Sequence, residues 1–282
     1  MKKYILILVI LSITLTLFSD VVGIGKSRAL FWKGNAESYW VDTTKLKPYE
    51  GMQPLTKSIT LEAWAKNEQF YTLNTLISRF RYYSSTKASG LNLMLNEYGG
   101  ATNYDYYNYP RTYYGNDSVV NGYTSISYYN SATAMKHHGL RHVSVVFDCI
   151  NESIFIYSDT LRNAYKTNGN IRDSLVLYYV IGAWYAHTAT SYYARGEMPI
   201  LRIYHKALSW AEIKQNHYVG LKTTGIVTES LKVFYKTDSL IYFSSNLDTL
   251  YDLSGNGING IKVGGRQDPD TVGRHFIFHG QR

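Results

Sequence analysis

From residue 58 the chain reads Ser-Ile-Thr-Leu-Glu-Ala-Trp, with Ile59, Leu61 and Ala63 alternating against Thr60, Glu62 and Trp64. A period of two marks a β-strand that turns one face to a core. Further strands are predicted at 75–81, at 91–95 (Leu91, Leu93 and Leu95 on one side), at 143–147, 153–157 and 175–181. At 200–204, Leu201 and Ile203 oppose Ile200, Arg202 and Tyr204. The apolar run Ala29 to Trp32, then Gly34-Asn35, then Tyr39-Trp40-Val41 predicts a hairpin. Pro48, Gly51 and Pro54 mark the loop after it. One segment changes period. Ser209-x-x-Glu212 is a capping box, followed by Ala211, Ile213 and Lys214 for one or two helical turns until Gly220. Many short strands and one short helix predict an all-β sandwich.

Tyrosine usage adds a second feature. Twelve of the 28 tyrosines fall between residues 82 and 129, among Gly, Asn and Ser. That mixture suits a recognition surface, because the ring gives contact area at low entropy cost. It equally suits rings packed along strand faces or between subunits.

At the N-terminus, Lys2 and Lys3 precede an apolar run over 4–18, the pattern of a secretory signal. The run is short for a membrane span, which needs about 20 apolar residues. Residues 1–25 are therefore expected to be a cleaved signal or a retained membrane anchor, with the rest outside the cytoplasm. Cys149 is the single cysteine, so no disulfide forms within the chain. The net charge of +8 is spread without a Lys/Arg run, which argues against nucleic acid as a partner.

Candidate chemistry is sparse. Glycoside hydrolysis needs two carboxylates on one face, and no acid lies two or four residues from Glu62 on its strand. His137, His138 and His142 lack a carboxylate or thiolate to complete a metal site, which favours structural roles. Cys149 lacks an evident base and reads as a small buried thiol. No cofactor is called for, although calcium is compatible with Asp252, Asp268 and Asp270. Asp252 equally suits a turn. Asn116-Asp117-Ser118 and Asn151-Glu152-Ser153 are glycosylation sequons.

Four stretches in order carry a family resemblance. Ile200 through Ile213, Ile-Leu-Arg-Ile-Tyr-His-Lys-Ala-Leu-Ser-Trp-Ala-Glu-Ile, resembles the closing segment of laminin-G-like, concanavalin A-like jelly-roll domains. Ser58 to Trp64 resembles an internal strand of that family, and His142 to Asp148 with Ile156 to Asp159 resembles its hairpin. Ile181-Gly182 resembles the pair before its last strands. In the tail, Tyr251-Asp252-Leu253-Ser254-Gly255-Asn256-Gly257 resembles a phrase that the family places before its first strand.

The resemblance implies a concanavalin A-like jelly-roll β-sandwich with one short helix, over residues 26–222. Residues 223–282 would add strands that complete this sandwich or join a neighbouring subunit's sheet. The fold hosts many functions, so function has to be read from a site. Two readings follow, and the first is the preferred one. One is a non-enzymatic surface protein acting as a structural or adhesive subunit of a cell-surface filament, sheath or virion, with copies of itself or other surface proteins as partners. The other is a monomeric carbohydrate-binding module for surface glycans. In both, Tyr104, Tyr106, Tyr107, Tyr109, Trp184 and Tyr185 are the candidate contact residues.

Overall fold

The alternation that begins at Ile59 becomes strand β3 (Ile59–Asn67). Its Ile59, Leu61, Ala63 and Ala65 enter the central core, and Thr60 and Glu62 are buried on the opposite face. Our computed structural model describes residues 30–33, 38–41, 58–67, 73–84, 87–98, 107–117, 124–130, 135–136, 140–167, 171, 179–186, 189–191, 195–236 and 249–263.

Among the described residues two sheets face each other, of seven and eleven strands. The first has seven strands, in the order β1 (Leu30–Lys33), β15 (Arg195–Tyr204), β3, β9 (Arg141–Asp148), β10 (Ser153–Ser158) and β11 (Leu161–Lys166). The seventh, β16 (Leu231–Lys236), pairs with Ile200 to Tyr204 of β15, while β1 pairs with Arg195 to Met198. Because β3 occupies the other side of β15, β1 and β16 share one edge end to end. The second sheet has eleven strands. Its main path is β17 (Thr249–Leu250), β18 (Gly260–Val263), β2 (Ser38–Val41), β12 (Tyr179–Ile181), β4 (Leu73–Ser84), β5 (Lys87–Tyr98), β6 (Tyr107–Asp117) and β7 (Thr124–Asn130). The short β13 (Trp184–Ala186) pairs with β4 and with β14 (Ala189–Ser191), and β8 (Met135–Lys136) pairs with β6.

Leu61, Val145, Ile156 and Ile203 from the first sheet meet Ile77, Leu93, Tyr114 and Ile181 from the second in one buried cluster. Among the described residues the result is an all-β jelly-roll sandwich with one short helix, in agreement with the alternation.

Two local expectations are corrected. The segment 29–41 is not a hairpin: β1 pairs with β15 and β2 with β12 and β18, in different sheets. A two-stranded ribbon buries little by itself, so each strand gains more by extending a sheet that already has a core. The helix is also longer than one or two turns, running over α1 (Trp210–Val219). Its capping box forms as written, with Glu212 N–H donating to Ser209 Oγ at 3.3 Å and Ser209 N–H donating to Glu212 Oε2 at 2.8 Å. Gly220 ends it at φ 65°, a left-handed angle that suits glycine. From 175–181, the described strand is β12 alone.

Candidate functional site

Strands β5 and β6 keep one register from Gly90↔Gly115 to Tyr98↔Tyr107. Leu91 and Tyr114 therefore fall on the core side, and Asn92, Met94, Arg111 and Tyr113 on the outer face of the eleven-stranded sheet. Ser78 and Phe80 of β4, opposite Asn92 and Gly90, belong to the same face. Phe80, Asn92 and Met94 are fully buried and form its floor. Arg111 and Tyr113 are half-buried and form its rim.

The rim is held by defined contacts. Tyr113 N–H donates to Asn92 Oδ1 at 2.7 Å, and Thr112 Oγ1 donates to the Asn92 carbonyl at 2.6 Å. The Tyr113 ring lies 6.2 Å from Phe80 in a tilted pair, and the Arg111 guanidinium sits 5.0 Å from the Tyr113 ring centre. Gly90 is what lets β4 and β5 approach here. At its φ of +91°, an added Cβ would stand 1.7 Å from the Arg79 carbonyl oxygen.

Four of the six contact residues expected from sequence are placed on this same sheet. Tyr107 and Tyr109 occupy β6 opposite Tyr98 and Asn96, and positions 107, 109, 111 and 113 share one strand parity. Trp184 and Tyr185 occupy β13, with Tyr185 in parallel register beside Arg81 of β4. The strand order β13-β4-β5-β6 separates the two groups by three spacings, about 14 Å. Tyr104 and Tyr106 lie outside the described residues, as do Asp268, Asp270, His137 and His138.

A second polar constellation lies on the outer face of the other sheet, beneath α1. Glu62 of β3, His142 of β9, Arg202 of β15 and Asn216 of α1 are all fully buried. Arg202 Nη1 donates to Glu62 Oε1, and Asn216 Nδ2 donates to Glu62 Oε2 at 2.8 Å. His142 Nε2 stands 3.4 Å from Glu62 Oε1, too long for a good hydrogen bond. Burial alone would push the Glu62 carboxyl up. The Arg202 guanidinium, then His142 and the Asn216 amide, outweigh that and hold it at about 2. Burial, and then the Glu62 charge, push the Tyr204 phenol up, so it stays protonated beside Asn216, whose Nδ2 donates to it at 3.0 Å. Arg202 also lies 4.9 Å from the Phe234 ring centre on β16.

Along the sequence Glu62 has no second acid beside it, and its cation Arg202 lies 140 residues away. The signal was present in part: Glu62 and Arg202 each sit at the non-core parity of a predicted strand, and His142 immediately precedes one. Their adjacency depends on β3 pairing with both β9 and β15.

Asp252 accepts four hydrogen bonds, from Phe234 N–H, Ser254 N–H, Ser254 Oγ–H and Ile258 N–H. Its oxygens are thereby committed to the turn that follows β17, and among the described residues no group of three or more His, Cys, Asp or Glu is arranged to hold a metal. Cys149 is half-buried against the core, with Ser58 Oγ donating to its sulfur at 3.4 Å.

No family model matches the chain, and no curated protein matches it. Solved structures do. A protein from Bacteroides ovatus whose own carbohydrate-binding role is inferred aligns at a TM-score of 0.53 and 17% identity, over 84% of this chain. This chain spans 58% of the length of that structure. The CBM40 module of the Ruminococcus gnavus IT-sialidase aligns at a TM-score of 0.48 and 12% identity, covering 66% of this chain and 95% of the module. A heptameric SAP-like pentraxin from Limulus polyphemus aligns at 0.46 and 12%, covering 71% of this chain and 82% of its own. The likeness to the Bacteroides ovatus protein concerns the fold alone, a jelly-roll β-sandwich.

Proposed function

We propose that this chain is a non-catalytic carbohydrate-binding protein that works outside the cytoplasm, behind the segment 1–25. Within the fold we assign it to the laminin-G-like branch, because the motifs around Glu62, His142 and Arg202 lie on three adjacent strands. The observation that carries the binding reading is the rim of the eleven-stranded sheet. There, half-buried Tyr113 is backed by Phe80 and flanked by Arg111, on the strand that also carries Tyr107 and Tyr109. An aromatic ring offers a flat apolar face to the C–H face of a sugar, and a guanidinium beside it offers donors to hydroxyls or carboxylates. The fold likeness to the Bacteroides ovatus protein supports the same reading.

Glu62 itself is unsuited to acid–base catalysis, which supports the non-catalytic reading. A carboxyl held near pKa 2, sealed from solvent and tied to Arg202, neither donates nor takes a proton at neutral pH. Of the two readings drawn from sequence, the binding module is favoured by both a residue constellation and a solved likeness. The filament or virion subunit has no observation among the described residues in its favour.

A glycan array with the secreted protein tests this. Retention on a subset of glycans is expected, and the triple change Tyr107→Ala, Tyr109→Ala and Tyr113→Ala should weaken it at least tenfold, about 1.4 kcal/mol. Unchanged binding by the triple variant, or no retention of the wild type, would overturn the proposal.

A further inference from the structure

Helix α1 reverses the polarity ordinarily found in a helix packed on a sheet. Its buried positions are Ile213 and Asn216, the second an amide tied to Glu62 and Tyr204. Its aromatic residues point outward: Trp210 is 46% exposed and Tyr218 is 76% exposed. A surface helix ordinarily turns its apolar stripe to the core and its polar residues to water. Here core packing does not account for the two rings.

Trp210, Lys214 and Tyr218 stand at i, i+4 and i+8, which places them along one ridge about 12 Å long. Lys214 Nζ lies 4.6 Å from the Trp210 ring centre. From the neighbouring edge strand β11, the Arg162 guanidinium lies 5.5 Å from the same ring. The indole N–H is already used, donating to the Thr160 carbonyl at 3.2 Å. That bond fixes the ring and leaves only its carbon surface to offer a partner. Among the described residues no carboxylate pairs with Lys214, whereas Glu212, two residues from it and so on the far side of the helix, is taken by Lys206.

We propose that this ridge, Trp210–Lys214–Tyr218 with Arg162, is a docking site for an acidic polysaccharide, on the sheet opposite the Tyr113 rim. Sugar rings present C–H faces to the aromatic surfaces, and their carboxylate or sulfate groups meet the two cations. The ridge is convex, so a polymer lying across it fits better than a small ligand that needs enclosure. The net charge of +8 favours an anionic partner at longer range. The ligand class rests on the carbohydrate-binding reading, whereas the site does not.

Affinity electrophoresis through polygalacturonate, hyaluronan or heparin gels, with a neutral glucan gel as reference, provides the test. The wild type should be retarded in at least one acidic gel, and less so at high salt. Trp210→Ala and Lys214→Glu should each weaken that retardation about tenfold with an unchanged thermal melt, and Tyr218→Ala should weaken it less. If Trp210→Ala melts early, Lys214→Glu and Tyr218→Ala decide alone. The Tyr107/Tyr109/Tyr113 triple variant should keep acidic retardation, so loss at the rim and loss at the ridge are distinguishable. Equal retardation of the ridge variants would overturn the proposal. So would no retardation in any acidic gel, or capture by phosphatidylserine vesicles or an acidic peptide but by no polysaccharide.

Discussion

At the scale of single residues, Glu62 has the most physical consequence. It is charged in a place without water because Arg202, His142 and Asn216 replace hydration. Removing one member of such a set leaves an uncompensated buried charge, which typically costs about 3–5 kcal/mol. Arg202→Met should therefore lower the melting temperature strongly at pH 7. The sign of the pH effect follows from the depressed pKa. Glu62 is at about 2 in the folded chain against 4.5 for the free group, so its contribution is complete above pH 4.5 and is lost as pH falls toward 2. Melting curves across that window should converge for wild type and Glu62→Gln as the pH drops. A gap that stays constant from pH 5 to pH 2 would refute this. Gly90 is the other sensitive residue: Gly90→Ala drives a methyl into the Arg79 carbonyl at a left-handed φ, so misfolding or a loss of several kcal/mol is expected.

Among the elements, α1 is the one most fully specified by its local sequence. Ser209→Ala should cost about 1 kcal/mol, while Ser209→Gly should cost only a few tenths, as for ordinary N-caps. Asn216 tests something else, namely whether the helix is held down by packing or by polar contacts. Its Oδ1 accepts from Val227 N–H at 2.9 Å, so Asn216→Leu orphans that donor and the Glu62 oxygen together. A loss of about 2–4 kcal/mol despite the larger apolar side chain is expected from denaturant unfolding. A neutral or stabilising outcome would mean that apolar packing alone docks the helix. The predicted helix is too short because only its cap and Gly220 were legible. Trp210 and Tyr218, both outward-facing, broke the apolar periodicity that would have revealed its full length.

For the whole molecule, the tail matters most. Strand β18 lies antiparallel to β2 of the same chain, from Gly260↔Val41 to Val263↔Ser38, and β16 lies along β15. Leu250 and Ile258 enter the central core, and Tyr235 Oη donates to the Ile258 carbonyl at 2.6 Å. Burial of two such side chains contributes about 1.5–3 kcal/mol each. Deleting residues 249–282 should therefore destabilise the sandwich and expose it to limited proteolysis. A truncated chain that melts like the full one would show that the tail is dispensable to this fold.

How much was legible differs by kind of information. Local periodicity in the sequence determined the strands at Ile59, Leu91, Val143 and Ile200, the capped start of α1 and the sandwich class, because each depends on neighbours within a few residues. Composition singled out the tyrosine-rich stretch, of which Tyr107, Tyr109 and Tyr113 lie on β6. What only the tertiary structure decided is adjacency. The separation of 29–41 into two sheets, the meeting of Glu62 with Arg202, and the alignment of Tyr113 with Phe80 across β5 all depend on strand order. Strand order is set by which edges of a sheet bury the most surface once the whole chain has collapsed, and no window of the sequence contains that comparison.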